Sequence, residues 1–125
     1  MPVETGLHGS AELTVGDDDT AIAMRSGDVA VLATPRLVAL AEEATCRAVN
    51  GELEDGETTV GMRVQINHLA PTSVGTTVTA EATLEKIEGR RLTFTISVND
   101  DAGLIGAGKV TRAIVDRGEF LDKAR

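Results

Sequence analysis

The chain has no tryptophan, no tyrosine, two phenylalanines, one cysteine and two histidines in 125 residues. Without large aromatic rings its core rests on Val, Leu, Ile and Ala, whose individual burial energies are modest. A further apolar interface with a second copy would add to them. The lone Cys46 excludes an intrachain disulfide, and no grouping of Cys and His resembles a metal-ligand cluster. A reducing compartment is the simpler setting. Basic residues are also scarce: 12 Lys and Arg against 20 Asp and Glu give a formal net charge of -8. That charge repels phosphate backbones and anionic lipid, which argues against nucleic acid and membrane as partners. The opening MPVETGLHGS lacks a basic region followed by an apolar one, and no apolar run is long enough to span a bilayer. The expectation is a cytoplasmic protein with a single domain over residues 1–125. Its first segment, with His8, is expected to be mobile and is given no role.

The 42% of apolar residues fall into two periods. From Thr34 to Asn50 the spacing is helical, with Thr34 suited to the N-cap, Pro35 to the first helical position and Gly51 to the C-terminal cap. Elsewhere the period is two. SAELTVG reads as a first strand, and after a loop from Gly51 to Gly56 come further strands. Val78, Ala80, Ala82 and Leu84 share one face of GTTVTAEATLEK, and Leu92, Phe94, Ile96 and Val98 share one face of RRLTFTISVN. IEGR between them is a hairpin turn with Gly89 supplying the backbone freedom. The last strand, Leu104 to Val115, is less regular because Gly106 and Gly108 leave gaps or a bulge. RGEFLDKAR at the end reads as a short helix or a tail. The predicted fold class is α+β, one helix against an antiparallel sheet in the order β-α-β-β-β-β.

Two polar residues stand out against this frame. In the strand before INHLAPTSVG, the residues Val60, Met62, Val64, Ile66 and His68 alternate with Gly61, Arg63, Gln65 and Asn67, so His68 points toward the helix side. A partly buried histidine bonded to some carbonyl would satisfy that pattern on its own. On the helix, Leu37, Ala41, Ala44 and Ala48 form the apolar centre, while Glu43 lies opposite with Arg36 and Arg47. Glu42 falls between these groups, on the row Val38, Glu42, Thr45, Val49. Partial desolvation there makes a carboxylate a better proton acceptor. The commoner fate of a border glutamate is to reach for water.

Taken together, TPRLVALAEEATCRAV, VGMRVQINHLAPTSVG and EKIEGRRLTFTISVNDDAGLIGAGKVTRAIV resemble the fluoroacetyl-CoA thioesterase-like family of hotdog-fold thioesterases, over most of the chain from Ala33 to Phe120. The resemblance implies a hotdog fold, a sheet wrapped around one central helix, working as a homodimer with active sites at the interface. It implies hydrolysis of an acyl-CoA to the carboxylic acid and free CoA, with no cofactor. The family's catalytic Thr, Glu and His match Thr34, Glu42 and His68, and its glycine seven positions before the histidine matches Gly61. By this resemblance Glu42 is the base or carboxylate nucleophile, His68 assists proton transfer, and Thr34 polarises or positions the carbonyl. The Gly61 N–H becomes an oxyanion-hole donor. Arg90 and Arg91, in EGRRL, are candidates for the CoA phosphates, since guanidinium suits phosphate geometry.

The chain departs from the family before Thr34. The family's name-giving enzyme carries a longer, aromatic-bearing lid there, whereas DTAIAMRSGDVAVLAT is shorter and has no aromatic residue; a gapless reading back from Thr34 puts Asp28 at the place of the gating aromatic. Small aliphatic side chains point to a short or medium acyl group. The alternatives are a non-catalytic acyl-CoA-binding dimer and a hotdog hydratase or dehydratase, whose usual aspartate near the histidine is missing around His68.

Overall fold

A computed structural model describes residues 3–125. In chain order the elements are β1 (His8–Thr14), a 3-10 turn at Asp17–Asp19, α1 (Ala21–Met24), α2 (Thr34–Ala48), β2 (Glu57–His68), β3 (Thr77–Glu88), β4 (Arg91–Asp100), β5 (Gly103–Asp116) and α3 (Arg117–Asp122). The strands form one antiparallel sheet in the order β1-β3-β4-β5-β2, curled about α2. The predicted order of elements is therefore present, with the short helix α1 added and RGEFLDKAR forming α3 for most of its length.

The alternation in β3 and β4 is realised as read. Val78, Ala80, Ala82, Leu84, Leu92, Phe94, Ile96 and Val98 are buried against Leu37, Leu40, Ala41, Ala44 and Ala48 of α2. Removing that much aliphatic surface from water is the main force holding the sheet on the helix. The hairpin turn is two residues long, and Gly89 takes φ +63° in it. α2 ends at Ala48, and Gly51 lies in the turn beyond it with φ +84°. On the other side of the helix, β1 comes so close that a Cβ at Gly9 would collide with backbone atoms of Ala44 and Ala48.

Three expectations are corrected. His8 is not in a mobile segment: it opens β1, opposite Thr83, and its Nδ1 lies 3.2 Å from the Thr83 hydroxyl. Thr34 is not the N-cap. Ala33 holds that position and its carbonyl accepts from the N–H of Arg36 and Leu37, so Thr34 is the first helical residue and its hydroxyl is free of capping. β2 does not keep one phase. Its pairing with β5 runs Gly61 to Arg112 and then Arg63 to Thr111, leaving Met62 as an extra residue. Beyond this bulge Val64, Ile66 and His68 face inward as expected, but before it the inward residues are Thr59 and Gly61, and Val60 turns outward with Ala113.

Candidate active site

The bulge decides which groups meet. Gly61 and His68 are seven positions apart, an odd offset that would set them on opposite faces of a regular strand. The extra residue Met62 brings both to the inner face, toward α2. At the far end of β2 the hydroxyl of Thr34 and Nδ1 of His68 are 2.8 Å apart, a hydrogen bond in which either atom can donate. Burial lowers the His68 pKa below its ordinary value, and the Ala70 backbone offsets part of that. Nε2 of the same ring is buried and meets no polar partner, which further disfavours an imidazolium with two N–H groups to satisfy. A cavity of about 350 Å³ opens beside this pair, with Thr34, His68, Ser26, Asp28 and Pro71 among its walls.

Two turns along α2, Glu42 presents its carboxylate to Gly61 from the helix border, with its side chain 35% exposed. A Cβ at Gly61 would lie 2.5 Å from Glu42 Oε2, so the absence of a side chain is what lets the carboxylate approach the strand. Oε2 accepts a charge-assisted hydrogen bond from Arg112 Nη1 at 3.2 Å. Arg112 is buried, and its other two nitrogens each donate to Thr59, whose hydroxyl accepts from Nε at 2.9 Å and whose carbonyl accepts from Nη2 at 3.0 Å. Sequence reasoning missed Arg112. The signal was a charged residue in the inward phase Val110, Arg112, Ile114 of an otherwise apolar strand.

Within one chain the four candidates form two groups, Thr34 with His68 and Glu42 with Gly61. Eight residues of helix put roughly 12 Å between the Cα atoms of Thr34 and Glu42, too far for their side chains to act on one carbonyl. Arg90 and Arg91 lie at the β3–β4 turn, at the Glu57 end of the sheet. Arg90 is committed to Glu57, whose Oε2 accepts from its Nη1 at 3.1 Å and its Nη2 at 2.9 Å. Arg91 is exposed and makes no ion pair among the described residues. No group of His, Cys, Asp and Glu among the described residues is placed to hold a metal ion, and no described helix is long and apolar enough to cross a membrane.

A five-stranded antiparallel sheet curled around one central helix is the hotdog fold of thioesterases. Residues 15–118 match the family described as fluoroacetyl-CoA-specific thioesterase, and the chain belongs to this family of thioester hydrolases. It is 40% identical over 95 residues to the fluoroacetyl-CoA thioesterase of Streptantibioticus cattleyicolor, covering 76% of this chain and 68% of that one. A crystal structure of the fluoroacetyl-CoA thioesterase FlK superposes with a TM-score of 0.92 at 31% identity, over 98% of this chain and 96% of that one. A Thermus thermophilus protein of the thioesterase superfamily superposes with a TM-score of 0.89 at 29% identity, over 97% and 90% of the two chains.

Proposed function

We propose that this protein hydrolyses a short or medium acyl-CoA to the carboxylic acid and free CoA, at a site that two copies of the chain build together. The observation that carries the reading is the division of the site: Thr34 and His68 meet, Glu42 and Gly61 meet, and the two groups stand apart in one chain. β2 is a sheet edge whose middle, Gly61 to Gln65, is exposed, with Met62 50% and Val64 38% accessible. Such an edge is a ready template for another strand. Pairing β2 with its own copy about a two-fold axis near Val64 and Gln65 sets Gly61 and Glu42 across from the partner subunit's His68 and Thr34.

In the completed site, Glu42 activates water or attacks the thioester carbonyl itself. The backbone N–H of Gly61, at the bulge, receives the developing oxyanion. The C–S bond breaks, the acyl carbon gains oxygen, and the departing thiolate takes a proton. His68, held neutral and oriented by Thr34, moves protons between water and the leaving group. Arg112 positions the Glu42 carboxylate, and Arg91 is the cation offered to CoA phosphates. The free, exposed Cys46 fits a cytoplasmic setting, and the protein works as a single domain without a cofactor.

The test is thiol release from acyl-CoAs of increasing chain length, with Glu42→Ala and His68→Ala beside the wild type. Loss of about 10³-fold or more in kcat for both variants, with folded circular dichroism spectra, is expected for groups of this kind. Full activity in Glu42→Ala removes the mechanism. Binding of CoA thioesters with no thiol released by the wild type replaces the enzyme with a binding dimer.

A further inference from the structure

The segment between α1 and α2 carries a feature the hydrolytic reading leaves unused. Of the residues lining the cavity beside Thr34 and His68, Asp28 alone bears a formal charge once His68 is neutral. Apart from Thr34 and His68 the remaining walls are aliphatic or small, with Val31, Leu32, Leu69, Ala70, Ser26 and Gly27 among them. A volume of about 350 Å³ is at the small end for ligand pockets, enough for a short acyl group and not for a nucleotide. Asp28 has no hydrogen-bond or ion-pair partner among the described residues, while its neighbours in charge are occupied or outside the lining. Arg36 is held by Asp19 at 3.0 Å, and Arg25 does not line the cavity.

The segment that holds Asp28 is fixed at its base. The N–H of Ala21 donates to the Val31 carbonyl at 2.9 Å, that of Leu32 to Thr72 at 2.9 Å, and that of Ser26 to Ala21 at 3.0 Å. Bridges between Thr20 and Leu32 and between Val31 and Ser73 close the same base. Between these anchors residues 22–30 are exposed, which leaves Asp28 at the solvent-facing wall of the cavity. The other lining residues offer no competing charge.

Resting on the thioesterase reading above, we propose that Asp28 determines specificity: its carboxylate selects short acyl groups that bear a hydrogen-bond donor, a hydroxyl or an ammonium, and rejects those that bear a free carboxylate. A carboxylate is acceptor-only when ionised, so it rewards a donor and repels a like charge, and it leaves an unsubstituted alkyl chain with neither effect. The reaction is unchanged; only the acyl group that reaches Thr34 and His68 is chosen.

The experiment compares four CoA thioesters of one three-carbon skeleton: propionyl-, 3-hydroxypropionyl-, 3-aminopropionyl- and malonyl-CoA. Relative to propionyl-CoA, wild-type kcat/KM is expected to be about three- to fivefold higher for the hydroxyl and ammonium substrates and about three- to fivefold lower for malonyl-CoA, the size of one solvent-screened charged contact. Asp28→Ala brings all the ratios near one. Asp28→Asn keeps the hydroxyl preference through its amide oxygen but loses the ammonium advantage and relieves the malonyl penalty, which separates charge from hydrogen bonding. Ratios unchanged in Asp28→Ala, or a wild type that prefers propionyl- or malonyl-CoA, overturn the assignment while leaving the thioesterase intact. Failure of the folded wild type to cleave any of the four or any longer acyl-CoA overturns the thioesterase itself, and this selectivity with it.

Discussion

Thr34 shows how one residue's neighbours decide its chemistry. As an N-cap its hydroxyl would be spent on helix N–H groups; one position further in, the N-cap is Ala33, which caps with no side chain, and the hydroxyl is left for His68. The histidine it meets is shifted toward the neutral form, with Thr34, the Ala70 backbone and Asp28 of the shared cavity around it. Because its folded pKa lies below the ordinary 6.5, the unfolded chain binds more protons between the two values. The stability tied to neutral His68 is complete above pH 6.5, then falls as the pH drops through the folded value. Urea denaturation of wild type and His68→Gln at one protein concentration will show a gap that shrinks with acid from about pH 6.5 downward; a gap that widens with acid would mean an imidazolium in the fold. The acid limb of kcat/KM is expected below 6.5 for the same reason. The spacing of Thr34, Glu42 and His68 was legible in the sequence, whereas the cap was not, since Pro35 fits the first or the second helical position equally well.

At the scale of elements, β3 and β4 could be read directly because each buries one face and exposes the other, so period two is written in their residues. β2 could not, because a bulge adds one residue with no local signature and reverses the phase upstream of Met62. Arg112 was hidden for the same reason: only the register across β2 and β5 places it beside Thr59 and Gly61. Two glycines test these contacts differently. Gly61→Ala presses a methyl on the flexible end of Glu42, so the carboxylate shifts and kcat should drop about a hundredfold. The thermal midpoint should move by less than about 4 °C, and unaltered kcat would show that Glu42 need not sit against β2. Gly9→Ala drives its methyl into helix backbone, which cannot step aside. It should cost about 3 kcal/mol of stability by denaturant titration, and a neutral result would mean that β1 stands further from α2.

The whole molecule is where the chain's deficits converge on its function. A core without tryptophan or tyrosine, an exposed edge strand and the distance along α2 between Glu42 and the Thr34–His68 pair are the observations behind the proposed dimer. If each site takes Thr34 and His68 from one subunit and Glu42 and Gly61 from the other, then two inactive variants repair each other. A heterodimer of His68→Ala with Glu42→Ala holds one site with both defects and one with neither. Random assortment makes half the dimers mixed, each with one intact site of two, so equal co-expression should restore about a quarter of wild-type activity. Each variant alone stays inactive, and so does a single chain carrying both substitutions. Sedimentation of the mixture confirms that dimers form. If dimers form and no activity returns, each site belongs to one chain, and α2 must then bend or shift to carry Glu42 to the Thr34–His68 pair.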